Sequence, residues 1–277
     1  MHWQTARFRI ALDRPRVMGI VNVTPDSFAG GARDADAAKA LCDRLLAEGA
    51  DMLDIGGEST RPGATPPTLA EELARVLPVL RHAITMGVPV SVDTSRPELM
   101  AEALALGADI INDVRALTRP GALEAAAASP NAGVCLMHSR GEPATMQHAV
   151  RYGDVVTEVA AFLRERCAAV QAAGVASDRI VLDPGIGFAK TPAHNWALLQ
   201  HQDRLLALGR PLLVGWSRKS TLGVLTGREV VSRLSSSIAA ALAAVQRGAH
   251  IVRVHDVAAT VDALKVWHAA GLPAQNN

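Results

Sequence analysis

The chain has few cysteines, few aromatic residues, no excess of charge of either sign and no long apolar run. Its three cysteines, Cys42, Cys135 and Cys167, are odd in number, lack a C-x-x-C spacing and sit in apolar stretches. That excludes a disulfide scaffold or a zinc ribbon and reads as reduced core thiols. Nowhere do about 18 consecutive apolar residues occur, the length a membrane-spanning helix needs. The opening MHWQTARFRIALDRP also lacks the apolar core of a secretory signal. The expectation is a soluble, cytoplasmic protein. Lys and Arg number 28 against 27 Asp and Glu, so no bulk field exists to hold nucleic acid or an anionic membrane. Any anion bound here must be caught locally, and small molecules are the expected partners. Only nine residues are aromatic, four Trp, four Phe and one Tyr. The core is therefore built from small aliphatic side chains that favour close helix packing. No Ser/His/Asp arrangement of recognised spacing and no H-x-x-x-H pair is found, which argues against a serine hydrolase and against a zinc site.

What is present is a regular alternation. Eight short apolar runs, at 17–23, 51–55, 88–92, 109–111, 133–137, 179–182, 212–214 and 250–254, alternate with longer segments of helical period. This is the pattern of parallel βα units. Between Asp154 and Ala173, for example, Val155, Val159, Phe162, Leu163, Cys167 and Val170 recur at three- and four-residue steps and form one apolar stripe. Gly49-Ala50-Asp51, Gly107-Ala108-Asp109 and Gly248-Ala249-His250 each close a helix with glycine and open a strand. With 277 residues, 49% of them apolar, the chain matches one (β/α)₈ TIM barrel, which takes roughly 250 residues. The barrel is expected over 16–272, with 1–15 as a short strand or hairpin capping its bottom and 273–277 as a tail. A doubly wound open sheet is the competing fold, but its G-x-G-x-x-G fingerprint is absent after the first strand.

In a barrel the reactive groups stand at the carboxyl ends of the strands, where the loops converge. The residues at or just past the eight runs are Asn22, Gly56-Gly57-Glu58, Asp93, Asn112, His138, Asp183, Ser217 to Lys219, and Arg253 with His255. A single Asp or Asn there could be a strand-terminating turn, but eight polar ends together point to a site. The loop after the first run carries Asp26 ahead of Gly30-Gly31, and the loop after the second, Gly56 to Ala64, combines glycines, hydroxyls and Arg61 as an anion-closing lid would. Ser217, Lys219 and Ser220 lead into a helix whose N–H groups favour anions. Arg253 and His255 lie two apart and face the same way, a costly placement on an apolar strand unless an anion or carboxylate meets them. Asn22, Thr60, Arg61, Arg253 and His255 suit a polyphosphate with Mg²⁺, which takes one or two protein oxygens and fills the rest with phosphate and water. Asp93, Asn112, Asp183 and Lys219 suit a flat heterocycle that both donates and accepts hydrogen bonds.

The motifs MGIVNVTPDSF (18–28), DIGGESTRPGA (54–64), SVDTSRPE (91–98), INDVRAL (111–117), LDPGIGFAKTPAHN (182–195), GWSRKSTLG (215–223) and RVHDV (253–257) together resemble the bacterial dihydropteroate synthases of the pterin-binding family. They occur in the family's order over nearly the whole chain. The resemblance implies a TIM barrel that joins (7,8-dihydropterin-6-yl)methyl diphosphate to 4-aminobenzoate, giving 7,8-dihydropteroate and diphosphate for folate synthesis. It also implies Mg²⁺ as cofactor, sulfonamides as ligands that mimic aminobenzoate, and a homodimer. Carried over by position, Asn22 is the Mg²⁺ ligand, and Thr60, Arg61, Arg253 and His255 hold the diphosphate. Asp93, Asn112, Asp183 and Lys219 line the pterin slot, and Thr60, Pro62, Phe188, Ser217, Lys219 and Ser220 the aminobenzoate site. The expected mechanism is SN1-like. Mg²⁺ and two cationic strand residues, Arg253 and His255, stabilise the leaving diphosphate, while Asp93, with Asp26 once its loop closes, offsets a pterin cation. Asp26, Asp93, Lys219 and Arg253 are thus the catalytic candidates. The chain departs from the family pattern in a first loop shortened by about one residue, in Ala189 where the family has glycine, and in the bulky Trp216. A pterin-dependent methyltransferase domain and a silent pterin-binding paralogue are the competing readings. The STRPGA lid and the RVH strand speak against the first, and intact Asn22, Arg61, Arg253 and His255 against the second.

Overall fold

The computed structural model describes residues 1–24, 32–59, 65–141, 146 and 150–271, with side chains omitted at 32–34. The chain opens with a hairpin, β1 (His2–Gln4) and β2 (Arg9–Ala11), and continues as a βα alternation. Its elements are β3 (Arg16–Asn22), α1 (Ala32–Ala47), β4 (Met52–Gly56), α2 (Leu69–Ala83), β5 (Val90–Asp93), α3 (Pro97–Leu106), β6 (Ile110–Asp113) and α4 (Ala122–Ala128). They are followed by β7 (Gly133–Met137), α5 (Val155–Ala172), β8 (Ile180–Asp183), α6 (Pro192–Gln200), α7 (Asp203–Leu206), β9 (Leu213–Val214), α8 (Ser220–Thr226), α9 (Leu234–Gln246), β10 (Ile251–Val254) and α10 (Val257–Ala269). Strands β3 to β10 form one parallel sheet in the order β8-β7-β6-β5-β4-β3-β10-β9. A parallel bridge between Leu182 and Leu212 joins its two edges, so the sheet curls into a barrel with the helices outside. This is the expected TIM barrel, and each of the eight apolar runs has become one of its strands.

Local chemistry sets the element ends. Thr68 and Glu71 form a reciprocal capping box on α2, and the Asp154 carboxylate accepts the free N–H groups of Val156 and Thr157 at the start of α5. Gly49, Gly107 and Gly248 take positive φ where a helix gives way to a strand. Two apolar layers result. The outer one packs strand faces against helices; the inner one fills the barrel floor with Met18, Met52, Ile110, Cys135, Val181, Leu213 and Ile251 under Trp3 and Ile10 of the hairpin. Trp3 is fully buried and donates from Nε1 to the Arg179 carbonyl at 2.9 Å. A Cβ on Gly133 would lie 2.9 Å from that indole nitrogen, so only glycine lets the plug seat. Asp109 fastens the hairpin by accepting from the Arg7 guanidinium at 2.6 Å and from the Val90 amide at 2.9 Å. With the bottom sealed, the polar strand ends open upward.

All three cysteines are free and buried, and burial pushes the Cys42 thiol up to about 12. Trp216 stacks on Trp196 of α6, with ring centroids 5.1 Å apart, and is nearly inaccessible. It is a wall of the outer core rather than a new pocket residue. Ala189 holds a left-handed φ of 49°, a conformation that costs a residue with a Cβ about 1–2 kcal/mol. The glycine-to-alanine departure therefore keeps the backbone path at an energetic cost.

Candidate active site

Parallel register brings the inward-facing residues of neighbouring strands to one level. Asp93 at the end of β5 pairs in register with Asn112 on β6 and with Gly56 on β4. A Cβ on Gly56 would meet that of Asp93 at 3.4 Å, so the glycine leaves room for the carboxylate. Across the mouth, Arg253 donates from Nε to Asp54 Oδ2 at 2.6 Å and from Nη2 to Asp93 Oδ2 at 3.0 Å. Asn112 donates its amide to the same Asp54 oxygen at 3.1 Å, which leaves the Asn112 carbonyl oxygen as an acceptor.

On the other side, Asp183 at the end of β8 accepts the Gly185 amide on Oδ1 at 2.7 Å, leaving Oδ2 for a ligand. The Lys219 ammonium lies 4.3 Å from the centre of the Phe188 ring, a cation–π contact. The loop that carries Phe188 is held from below by Lys190. That ammonium reaches the carbonyls of Gly185 at 3.0 Å, Phe188 at 2.9 Å and His138 at 3.3 Å, and lies 2.9 Å from His138 Nδ1. Three residues of this loop have positive φ, Gly185, Gly187 and Ala189. At Gly185 no side chain is possible, because a Cβ would fall 1.9 Å from the His138 carbonyl oxygen.

Burial tunes the charges. It pushes Asp93 up to about 8, with Asp54 next in effect and Arg253 opposing. Asp183 is also raised by burial. Lys219 is drawn down to about 8 by burial and by Arg253, and Lys190 to about 7, again by burial. Burial also works against the Arg253 charge, but Asp54 and Asp93 outweigh it and keep the guanidinium protonated. His255 is drawn down to about 3 by burial and then by Arg253 and Arg218. With the mouth empty, burial and the neighbouring guanidinium both disfavour a second positive charge there. Ser217 Oγ accepts the His255 amide at 3.2 Å and lies 2.9 Å from Nδ1. A Ser217 hydroxyl turned to donate to Nδ1 leaves the imidazole proton on Nε2, the tautomer that offers a donor to the mouth.

Such a mouth presents the Asn112 oxygen and Asp183 Oδ2 as acceptors and Lys219, Arg253 Nη1 and His255 Nε2 as donors around one opening. A pterin-binding enzyme model matches residues 18–255, most of the chain. The dihydropteroate synthase of Neisseria meningitidis serogroup B is 55% identical over 278 residues, covering 98% of both chains. The chain belongs to the dihydropteroate synthase family. Among solved structures, the Burkholderia cenocepacia dihydropteroate synthase complexed with 7,8-dihydropteroate is 50% identical, covers 98% of this chain and 96% of its own, and has a TM-score of 0.90. The Yersinia pestis dihydropteroate synthase, solved as a sulfonamide drug complex, is 45% identical, covers 98% and 99%, and has a TM-score of 0.93. These two are members of the same family and carry the same barrel.

For a dihydropteroate synthase the four expected pterin residues, Asp93, Asn112, Asp183 and Lys219, converge on one mouth together with Arg253 and His255. Asn22 ends β3, half-buried and in register with Gly56. Phe188 is half-buried beside Lys219, Ser217 is buried against His255, and Ser220 is exposed at the first position of α8. Asp26, Thr60, Arg61 and Pro62 lie outside the described residues. Sequence reasoning missed two residues, Asp54 and Lys190. The signal for Asp54 was present: a carboxylate between Leu53 and Ile55 in mid-strand is as costly to bury unpaired as the arginine that meets it. Lys190 carried a weaker one, since lysines are scarce, four in the chain.

Mg²⁺ can be tested against the donors. Among the described residues no group of three or more His, Cys, Asp or Glu could cage a metal ion. Asn22 offers one neutral oxygen at the strand end. That donor set fits an ion completed by phosphate oxygens and water, not one held by protein alone.

Proposed function

We propose that this site condenses (7,8-dihydropterin-6-yl)methyl diphosphate with 4-aminobenzoate, releasing diphosphate and forming 7,8-dihydropteroate. The observation that carries the reading is the split of the mouth into two acceptors at Asn112 and Asp183 and three donors at Lys219, Arg253 and His255. The 2-amino and N3–H edge of a pterin offers two parallel donors that the Asp183 carboxylate accepts in a fork, with Oδ2 free and Oδ1 shared with the Gly185 amide, while Lys219 donates to the ring carbonyl or N5. Phe188 gives the aminobenzoate ring a flat wall. Ser217 and Ser220 belong to that pocket; the family resemblance assigns Thr60 and Pro62 to it as well, and Thr60 and Arg61 to the diphosphate. Asn22 would hold Mg²⁺, which when bound supplies positive charge to the diphosphate oxygens.

The reaction runs by early cleavage of the C–O bond at the pterin methylene. The electron pair leaves with the diphosphate, met by Arg253 and by His255 through Nε2–H. The resulting pterin cation is delocalised over the ring; Asp26 offsets its charge, and Asp93, which keeps its proton, turns the dipole of its carbonyl oxygen toward it. The aniline nitrogen then forms the C–N bond and loses its proton to solvent. Because the amine is a weak nucleophile, the protein contributes mostly orientation and leaving-group stabilisation, and a strong base is not needed. Incubation with the pterin diphosphate, 4-aminobenzoate and Mg²⁺ tests this. Diphosphate release that requires aminobenzoate is expected, and release indifferent to it refutes the reading.

Sulfonamides, as aminobenzoate mimics, compete in the same assay. A homodimer and a cytoplasmic setting belong to the same reading. Val224, Leu225 and Val231 are 71%, 67% and 86% exposed on and beside α8, close in sequence to α9, an apolar face suited to a second copy. Val231→Arg is expected to halve the mass seen by light scattering. Three buried free thiols suit a reducing compartment, and no helix of the described residues is long and apolar enough to cross a membrane.

A further inference from the structure

Asp54 stands in the middle of β4, fully buried, where a hydrocarbon of the same size would pack at less cost. Its Oδ2 carries both contacts, Arg253 Nε at 2.6 Å and the Asn112 amide at 3.1 Å. Its Oδ1, and the Ser91 hydroxyl in register with it on β5, are buried without a hydrogen-bond partner among the described residues. A carboxylate kept half-satisfied in a closed floor calls for an explanation beyond packing. The bond to Arg253 supplies one. That arginine is 199 residues away in sequence, on a strand separated from β4 by β3, and it reaches inward rather than out to solvent. With Nε on Asp54 and Nη2 on Asp93, one whole edge of the guanidinium is fixed. Nη1 is left without a protein partner among the described residues.

We propose that Asp54 is a positioning residue of the reaction: it locks the Arg253 guanidinium with Nη1 uncommitted for the departing diphosphate, and turns the Asn112 amide so that its oxygen faces the pterin. This rests on the reading of the site given above. Asp54 touches no substrate; it acts through Arg253 and Asn112. Its charge has a second effect. The groups facing Asp93 are Asp54 on β4, Glu58 beyond it, Asp113 on β6 and Arg253 on β10, with Lys219 ahead of α8. After burial, Asp54 is the largest influence holding the Asp93 proton on. The Asp54 contact thus lets Arg253 pair mainly with the floor, through Nε, and stay available at the mouth.

Asp54→Asn keeps the shape and removes the charge; Asp54→Ser serves if the amide variant does not fold, and thermal melting checks both. Turnover is expected to fall by about 10²-fold, the scale of an ångström of misplacement, with KM for 4-aminobenzoate changed less than about twofold. Product inhibition by inorganic diphosphate is expected to weaken. The pH profile's inflexion near 8 should move to lower pH, because Asp93 loses the charge that raised it. On an Arg253→Lys background, where the fork is already gone, Asp54→Asn should cost less than about threefold. Equal losses in both backgrounds, or a folded variant with unchanged turnover, diphosphate inhibition and pH profile, overturn the proposal. Wild-type protein that makes no diphosphate from both substrates refutes the parent reading instead, so the two failures are distinguishable.

Discussion

Asp183→Asn is the sharpest test of the pterin slot, because the fold dictates which way the new amide must face. The Gly185 amide is buried and claims Oδ1 at 2.7 Å. An asparagine there has only one acceptor oxygen, and Gly185 takes it. The NH₂ group must then point at the pterin's 2-amino and N3–H donors, and rotating the amide only moves the clash to Gly185. The variant loses hydrogen bonding to a charged acceptor, worth about 1.5–3 kcal/mol, and leaves donors facing donors, about 1–3 kcal/mol more. The sum, about 2.5–6 kcal/mol, corresponds to between about 10² and 10⁴ in affinity. Calorimetric titration with 6-hydroxymethyl-7,8-dihydropterin measures it directly, with a thermal melt to confirm folding. Binding weakened by less than about threefold in a folded variant would mean that Asp183 does not receive the pterin edge.

Three further outcomes follow from other parts of the molecule. Lys190→Met removes the ammonium that gathers the Gly185, Phe188 and His138 carbonyls, so the Phe188 wall loosens. KM for 4-aminobenzoate should rise about tenfold in steady-state kinetics while pterin affinity stays within about threefold, as expected when a supporting shell is lost behind an intact contact. Raising the pH above about 8 turns the Lys219 ammonium into an amine and Asp93 into a carboxylate, so kcat/KM for the pterin diphosphate should fall on the alkaline side. The apparent value read from the profile belongs to the cluster rather than to either residue. Trp3→Ala empties the bottom plug and removes the bond to the Arg179 carbonyl. Denaturant unfolding should show a loss of about 3–5 kcal/mol, with substrate KM values unchanged because the mouth is at the opposite end of the barrel.

The sequence alone determined the strands and their polar ends, because both follow from local pattern. A run such as Val17 to Val23 must be buried on both faces, and an Asp, Asn or Lys just beyond it must reach water or a ligand. Asp93, Asn112, Asp183 and Lys219 were legible as one site on that ground, and the family motifs fixed their order. The tertiary structure decided the charge states and partners. Arg253 stands two residues from His255, but nothing in the sequence says that burial and the distant Arg218 join it in drawing that imidazole down, nor that Asp54 and Arg253, 199 residues apart, share one hydrogen bond. Lys190 likewise gains its role only when a loop with three left-handed residues wraps its carbonyls around the ammonium. The reason is range. Hydrophobic period is a property of neighbours along the chain, whereas desolvation and Coulomb interaction depend on distance through space, which only barrel closure sets.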